Sequence, residues 1–319
     1  MRVLVTRRWP EPVERALAER FDVVLNREDQ PMDQAALARA MAEFDVLCPT
    51  VSDRIDAAVI AEGDRVKLIA NYGVGFDHID LDAARAKGIA VSNTPGVLTD
   101  ATADIAMTLL LMAARRAGEG ERELRAGQWS GWRPTHLVGS SLKGKVLGLV
   151  GFGRIGIAVA RRAHHGFGMR IAYHGRREAD ASVMEELAAA FYPSFDAMLA
   201  ACDVVSLHVP GGAETAGLMN AKSLAAMRPG SILINTARGS VVDHDALADA
   251  LRSGHLAGAG LDVYPQEPLV PESLLALENA VLLPHLGSAD AETRIAMGMK
   301  ALANVEAFAR GASLPDRIA

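Results

Sequence analysis

Short apolar runs rich in Val, Ile and Leu alternate along this chain with longer stretches whose apolar residues recur every three or four positions. The first kind reads as buried strand and the second as amphipathic helix. "RVLVTR" is the first strand, and "EPVERALAER" follows as a helix with Pro12 in its first turn. "FDVVLN" is a strand, and "DQAALARAMAE" is a helix with Asp33 as its cap. "DVLCPT" and "VKLIANYG" are strands separated by a helix around 54–61, and "AARAKG" is a helix closed by Gly88 before the strand "IAVSNT". Regular strand–helix alternation implies a parallel sheet covered on both faces.

A long helix, "TDATADIAMTLLLMAARR", spans 99–116, and a looser stretch rich in Gly, Trp and charge runs from 117 to 145. A second alternating series opens at Val146, with strands "VLGLVG", "MRIAYHG", "VVSLHV", "SILINT", "AGAGLDV" and "AVLLPH". Six strands with their helices complete a doubly wound sheet. The tail, 291–310, is again helical and begins after that sheet is complete, so it is expected to pack back on the first domain. The chain thus divides into a discontinuous domain, 1–98 completed by 287–319, and a domain at 99–286 inserted within it.

Composition narrows the function classes. A chain of 319 residues accommodates two domains, and half hydrophobic with 23% charged residues is the balance of a folded globular protein. The net charge of −6 and 5% aromatic content give no basic stripe and few stacking platforms, which argues against nucleic acid. Cys48 and Cys202 are far apart, with no Cys/His cluster, so neither a disulfide scaffold nor a metal site is expected. "MRVLVTRRWP" has no signal-peptide pattern and no apolar run is long enough to span a bilayer, so a cytoplasmic protein is expected.

"VLGLVGFGRIGIAVARR" carries Gly151, Gly153 and Gly156 in the G-x-G-x-x-G spacing, after an apolar strand and before a helix. In that setting Gly151 makes the turn, Gly153 admits a pyrophosphate, Gly156 permits close packing, and the helix N-terminus at Arg154 and Ile155 offers N–H groups to phosphate. The expected fold is therefore α/β, a Rossmann cofactor domain inserted into a discontinuous flavodoxin-like substrate domain. An NAD-binding fold usually places Asp or Glu at the end of its second strand. Here "IAYHGRR" puts Gly175 in that place, followed by Arg176 and Arg177. Two guanidiniums without a carboxylate suit a 2′-phosphate, which favours NADP(H), with NAD(H) possible if Arg176 only stacks on adenine and Arg177 is solvated.

Three strand ends of the second series carry unusual residues: Arg238 in "INTARGS", Glu267 in "DVYPQEP" and His285 in "LLPHLGS". Each alone has a bland reading as a solvated Arg, a loop Glu or a packed His. Together, at the carboxyl ends of strands beside a nicotinamide, they meet a chemical need. Hydride transfer to a ketone requires a proton donor, for which His is suited; a neighbouring carboxylate favours the protonated imidazole and fixes its tautomer; an arginine binds a substrate carboxylate and steadies the oxyanion.

Those residues, with "NYGVGFDHID", "GLVGFGRIG", "INTARGSVVD", "AGAGLDVYPQEP" and "LLPHLGSA" in this order, resemble the D-isomer-specific 2-hydroxyacid dehydrogenases, in particular the glyoxylate/hydroxypyruvate reductase branch. The resemblance implies that Arg238 binds substrate, that Glu267 pairs with the histidine, and that His285 is the general acid/base. It implies that Val74 and Gly75 offer backbone N–H groups to the substrate carboxylate, that Thr102 contacts the cofactor and that Asp262 holds the nicotinamide carboxamide. It also sets Val209, Pro210, Thr236, Ala237, His285 and Gly287 along the cofactor. Asn71 and Tyr72 either shape the substrate mouth or pack beneath it, and His208 is read as a packing residue. "GWRPTHLVG" resembles a dimer-building arm, which implies a homodimer; His136 stands near the position where reductase members often carry a Trp that reaches toward the partner's active site, a departure that bears on selectivity for hydroxypyruvate, and Trp129 and Trp132 are read as interface or packing residues. Alternatives are a formate- or phosphite-type dehydrogenase of the same fold, a dinucleotide-sensing regulatory protein, and a methyltransferase, in whose mechanism the Arg/Glu/His trio has no place.

Overall fold

Residues 1–319 are described by a computed structural model. Contacts along the chain gather into two units, Met1–Leu98 with Ser288–Ala319, and Thr99–Gly287.

The first unit is built on five parallel strands, β1 (Arg2–Val5), β2 (Asp22–Leu25), β3 (Val46–Cys48), β4 (Leu68–Ala70) and β5 (Ala90–Ser92), in the order β2-β1-β3-β4-β5. The central strands β3 and β4 are wholly buried and uniformly apolar, as a sheet covered on both faces requires. Aspartates start the crossover helices. Asp33 accepts from the Ala36 N–H at 2.7 Å, and Asp56 from Val59 at 3.1 Å, so the helix expected from 54 begins at Ala57. The tail helix, Ala291–Ala309, belongs to this unit. It lies so close to the helix Glu11–Ala18 that a Cβ on Gly298 would come within 2.7 Å of the Val13 side chain. The C-terminal Ile318 N–H then donates to the Val91 carbonyl at 2.8 Å.

The second unit holds seven parallel strands: β6 (Val146–Val150), β7 (Arg170–His174), β8 (Ala190–Phe191), β9 (Val204–Leu207), β10 (Ser231–Asn235), β11 (Leu256–Leu261) and β12 (Ala280–Leu282). Their order is β12-β11-β10-β9-β6-β7-β8. The order reverses between β6 and β9, the switch point where such sheets bind ligands beyond the strand ends. One face is covered by the helix Thr99–Arg115, whose Leu109 Cβ would lie 2.8 Å from a Cβ at Gly260.

Three features depart from the sequence reading. The seventh strand, β8, has two residues, too few to register as a pattern. The stretch after 116 is not wholly loose: Ala117–Arg125 is a helix, set off from the preceding one by Arg116 at φ +53°. None of its residues is buried, so no apolar stripe betrays it. Gly287, read as the head of the returning segment, belongs to the second unit, where its N–H donates to Asp262 and its carbonyl accepts from Thr102. No helix is long and apolar enough to cross a membrane.

Candidate active site

In the first unit, the chain leaves β4 through Asn71 and Tyr72 into the loop Gly73–Gly75. Both leading residues are buried, so they lie beneath the loop. Tyr72 packs its ring on Trp9 with centroids 4.5 Å apart and donates its hydroxyl to the Arg294 carbonyl at 2.6 Å. Val74 and Gly75 are half-buried, and neither of their N–H groups reaches a carbonyl of the chain. Two adjacent unsatisfied N–H groups at a surface can receive an anion.

In the second unit, β6 ends at Gly151, held at φ +90° with no room for a side chain: a Cβ there would lie 2.7 Å from the His208 carbonyl oxygen. At Gly156 a Cβ would come 2.4 Å from the Gly151 carbonyl, so the third glycine is pressed against the turn itself. Gly153 faces open space and precedes the helix Arg154–Arg161, whose first N–H groups, from Arg154 and Ile155 onward, lack intrahelical partners. Phe152 stacks on Tyr173 at 4.1 Å and anchors the loop from behind. His208, whose Nε2 lies 2.9 Å from Ser206 Oγ, backs the same turn; burial of its ring lowers its pKa to about 3, although part of the residue's surface stays exposed. It is a neutral packing group. Beyond β7, Gly175 is followed by the exposed Arg176 and Arg177.

Two of the three strand ends are joined by a hydrogen bond. His285 Nδ1 lies 2.7 Å from Glu267 Oε2. A carboxylate only accepts, so Nδ1 carries the proton of this bond. Glu267 is fixed from its other oxygen, which accepts the Tyr264 N–H at 3.0 Å. Burial alone would push the Glu267 carboxyl up. The hydrogen bond and charge of His285, the Tyr264 N–H and the charge of Arg238 outweigh it, and the group sits below the usual carboxylate range.

Buried neighbours hold these loops. Asn235, fully buried at the end of β10, accepts from Ala237 N–H at 2.9 Å and donates to the Arg238 carbonyl at 2.8 Å, so it staples the turn that presents Arg238. Gly239 lies against the Tyr264 backbone so tightly that a Cβ would overlap it. His285 has a left-handed backbone, φ +54°, which costs a non-glycine residue conformational energy. The following loop is clamped by Asp262, whose two oxygens accept from Leu286 and Gly287 at 2.6 and 2.7 Å. Burial raises the Asp262 carboxyl against the opposing effects of those N–H groups and His285.

Both Asp262 oxygens and the Thr102 hydroxyl proton, given to Gly287 at 2.8 Å, are therefore engaged within the chain. Each of these oxygens keeps a further lone pair, so the bonds leave room for the cofactor contacts expected of Asp262 and Thr102, and both residues also shape the His285 loop. Val209 is partly buried and Pro210 exposed past β9, and Thr236 and Ala237 follow β10. Thr236 Oγ1 is a buried hydroxyl with no partner in the chain. The open space at Gly153, the helix N-terminus and this orphaned hydroxyl fit a dinucleotide along the strand ends. His136 Nε2 is 2.7 Å from Glu123, while Trp129 and Trp132 are exposed. Asn235, Tyr264 and Asn93, whose buried amide donates to the Val74 carbonyl at 2.8 Å, stand outside the residues expected from sequence; a strand-end Asn followed by a tight turn is the signal that could have found two of them.

Comparison with known proteins agrees with this chemistry. The family model described as D-isomer specific 2-hydroxyacid dehydrogenase, NAD binding domain, matches residues 107–287. The glyoxylate reductase of Thermococcus litoralis is 44% identical over 99% of this chain and 96% of its own length. That of Pyrococcus furiosus is 44% identical over 99% and 95%. Among solved structures, the NADPH-dependent glyoxylate/hydroxypyruvate reductase of Sinorhizobium meliloti in complex with NADP and malonate superposes with a TM-score of 0.89 at 37% identity, covering 100% of this chain and 96% of that one. The TT0316 protein of Thermus thermophilus superposes at 0.92 with 48% identity, both chains fully covered. With relatives at this identity along its whole length, and an imidazole–carboxylate pair at the strand ends of a dinucleotide-binding sheet, the chain belongs to the D-isomer-specific 2-hydroxyacid dehydrogenases and is an NAD(P)-dependent oxidoreductase.

Proposed function

We propose that this enzyme reduces a small 2-oxo acid, glyoxylate or hydroxypyruvate, to the 2-hydroxy acid, with NADPH as the preferred cofactor and His285 as the proton donor. The observation that carries the reading is the 2.7 Å bond between His285 Nδ1 and Glu267 Oε2. The bound dinucleotide supplies the hydride. As charge grows on the substrate carbonyl oxygen, His285 gives it the Nε2 proton, and Glu267 steadies the imidazolium before transfer and holds Nδ1–H throughout. Arg238 binds the substrate carboxylate and the developing oxyanion. Val74 and Gly75 donate their N–H groups to the same carboxylate. The unit Thr99–Gly287 is the cofactor domain and the other unit the substrate domain.

Arg176 and Arg177, with glycine in place of an acid at 175, support the NADPH preference; the relatives named as glyoxylate reductases support the substrate class. A homodimer is supported by the apolar surface of the 117–145 stretch, where Trp132 is 82% exposed and Trp129, Leu124 and Val138 are also exposed. The test is NADPH and NADH oxidation with a panel of 2-oxo acids. Turnover of glyoxylate or hydroxypyruvate with a lower KM for NADPH is expected; a strong preference for NADH removes the phosphate role, and no turnover of any 2-oxo acid removes the reading.

A further inference from the structure

The loop Gly73–Gly75 is held from behind in an unusual way. Its three consecutive carbonyls all accept hydrogen bonds from buried groups of the first unit. The Gly73 carbonyl accepts from Asn71 Nδ2 at 3.1 Å and from the Thr94 N–H at 3.1 Å. The Val74 carbonyl accepts from Asn93 Nδ2 at 2.8 Å. The Gly75 carbonyl accepts from Asn71 Nδ2 at 2.8 Å. Asn71 is itself oriented, because its Oδ1 lies 3.0 Å from His78 Nε2. Both amides are almost fully buried, Asn71 at 1% and Asn93 at 7% exposure.

A trans peptide unit is planar, and its N–H points opposite to its C=O. Fixing a carbonyl therefore aims the N–H of the next residue. The bonds to Gly73 O aim the Val74 N–H, and the bond to Val74 O aims the Gly75 N–H, both away from the buried amides. These are the N–H groups that find no carbonyl in the chain. We infer that Asn71 and Asn93 are positioning residues that preset the Val74 and Gly75 N–H groups as a seat for the substrate carboxylate. The inference rests on the 2-oxo acid reading above and adds to it the means by which a loop of small residues is kept ready. Without those bonds each peptide plane is free to rotate, and the seat must be ordered when substrate arrives, which weakens binding.

The hydrogen bonds of both asparagine side chains stay within the first unit, so a substrate constant should respond and cofactor affinity should not. Asn93→Ala is expected to raise the KM for glyoxylate about tenfold, with kcat lowered less than about threefold, the pattern of a lost interaction made equally with ground and transition state. Asn71→Ala should act in the same direction. The dissociation constant for NADPH, titrated without substrate, should stay within about twofold. Asn93→Ser, which keeps a shorter donor, should fall between wild type and Asn93→Ala, and it carries the comparison in case alanine does not fold. Asn304→Ala is the structural control: it removes an equally buried amide of the same unit, bonded to Lys300 O and Asp316 Oδ2, both at 2.9 Å, and should lower Tm without moving the KM. A glyoxylate KM within twofold of wild type in both Asn93 variants, or an equal rise in Asn304→Ala, overturns the inference. Failure of the underlying reading looks different: the wild-type enzyme itself would then not reduce glyoxylate.

Discussion

On the function proposed above, the two units solve different chemical problems with different materials. In the cofactor unit the work falls to ionisable side chains: His285 and Glu267 are partly exposed and bonded to each other, and His285 holds the Glu267 carboxyl below its ordinary range. In the other unit the loop Gly73–Gly75 bears no charged side chain, and its polarity is that of the main chain, whose carbonyls are held by two buried amides. A proton donor must change charge near neutral pH, so it has to be a titratable residue. An anion seat needs only fixed dipoles, and a backbone held rigid supplies them without desolvating a charge.

That contrast orders the expected mutational effects. His285→Ala removes the proton donor and should lower kcat for reduction by roughly a hundredfold or more, measured by NADPH oxidation under saturating substrate. Arg238→Ala should both raise the substrate KM and lower kcat, for a combined loss of about a hundredfold in kcat/KM, because on the proposed mechanism its guanidinium binds the carboxylate in the ground state and also the oxyanion that develops only in the transition state. Replacing Arg176 and Arg177 together by alanine should raise the KM for NADPH about tenfold while the KM for NADH barely changes, and equal effects on both cofactors would break the 2′-phosphate assignment.

The same contrast explains what could be read from the sequence. The strand–helix alternation and the apolar strands gave both sheets, because buried parallel strands are nearly continuous runs of Val, Ile and Leu. His285, Glu267 and Arg238 stood out as titratable or charged residues in apolar settings, and the structure places the first two in direct contact. Asn93 did not stand out. An asparagine after a strand is common, and its partner, the carbonyl of Val74, is no sequence feature. The clamp Asp262 makes on Leu286 and Gly287 was hidden for the same reason, since backbone acceptors and donors are alike at every residue. The helix Ala117–Arg125 was missed because all its residues keep solvent contact, so the apolar periodicity on which the reading depends is absent.

The smallest expected effect concerns stability against acid. The Glu267 carboxyl is depressed below its ordinary value of 4.5, so the ionised form favours the folded state. That contribution is present above pH about 4.5 and is lost as the pH falls through the lower folded value. Glu267→Gln has no such charge, so its Tm should decline with acid less steeply than that of the wild type, by about a degree or two; parallel Tm curves would show that the carboxylate gains nothing from its neighbours on folding.

The pairing of His285 with Glu267 is tested most directly by kcat for glyoxylate reduction in wild type and Glu267→Gln. On the proposed mechanism the carboxylate holds Nδ1–H and so presents Nε2 to the substrate; a neutral amide does neither reliably, and kcat should fall about tenfold or more with NADPH binding unchanged. A kcat in Glu267→Gln equal to that of the wild type would contradict the account.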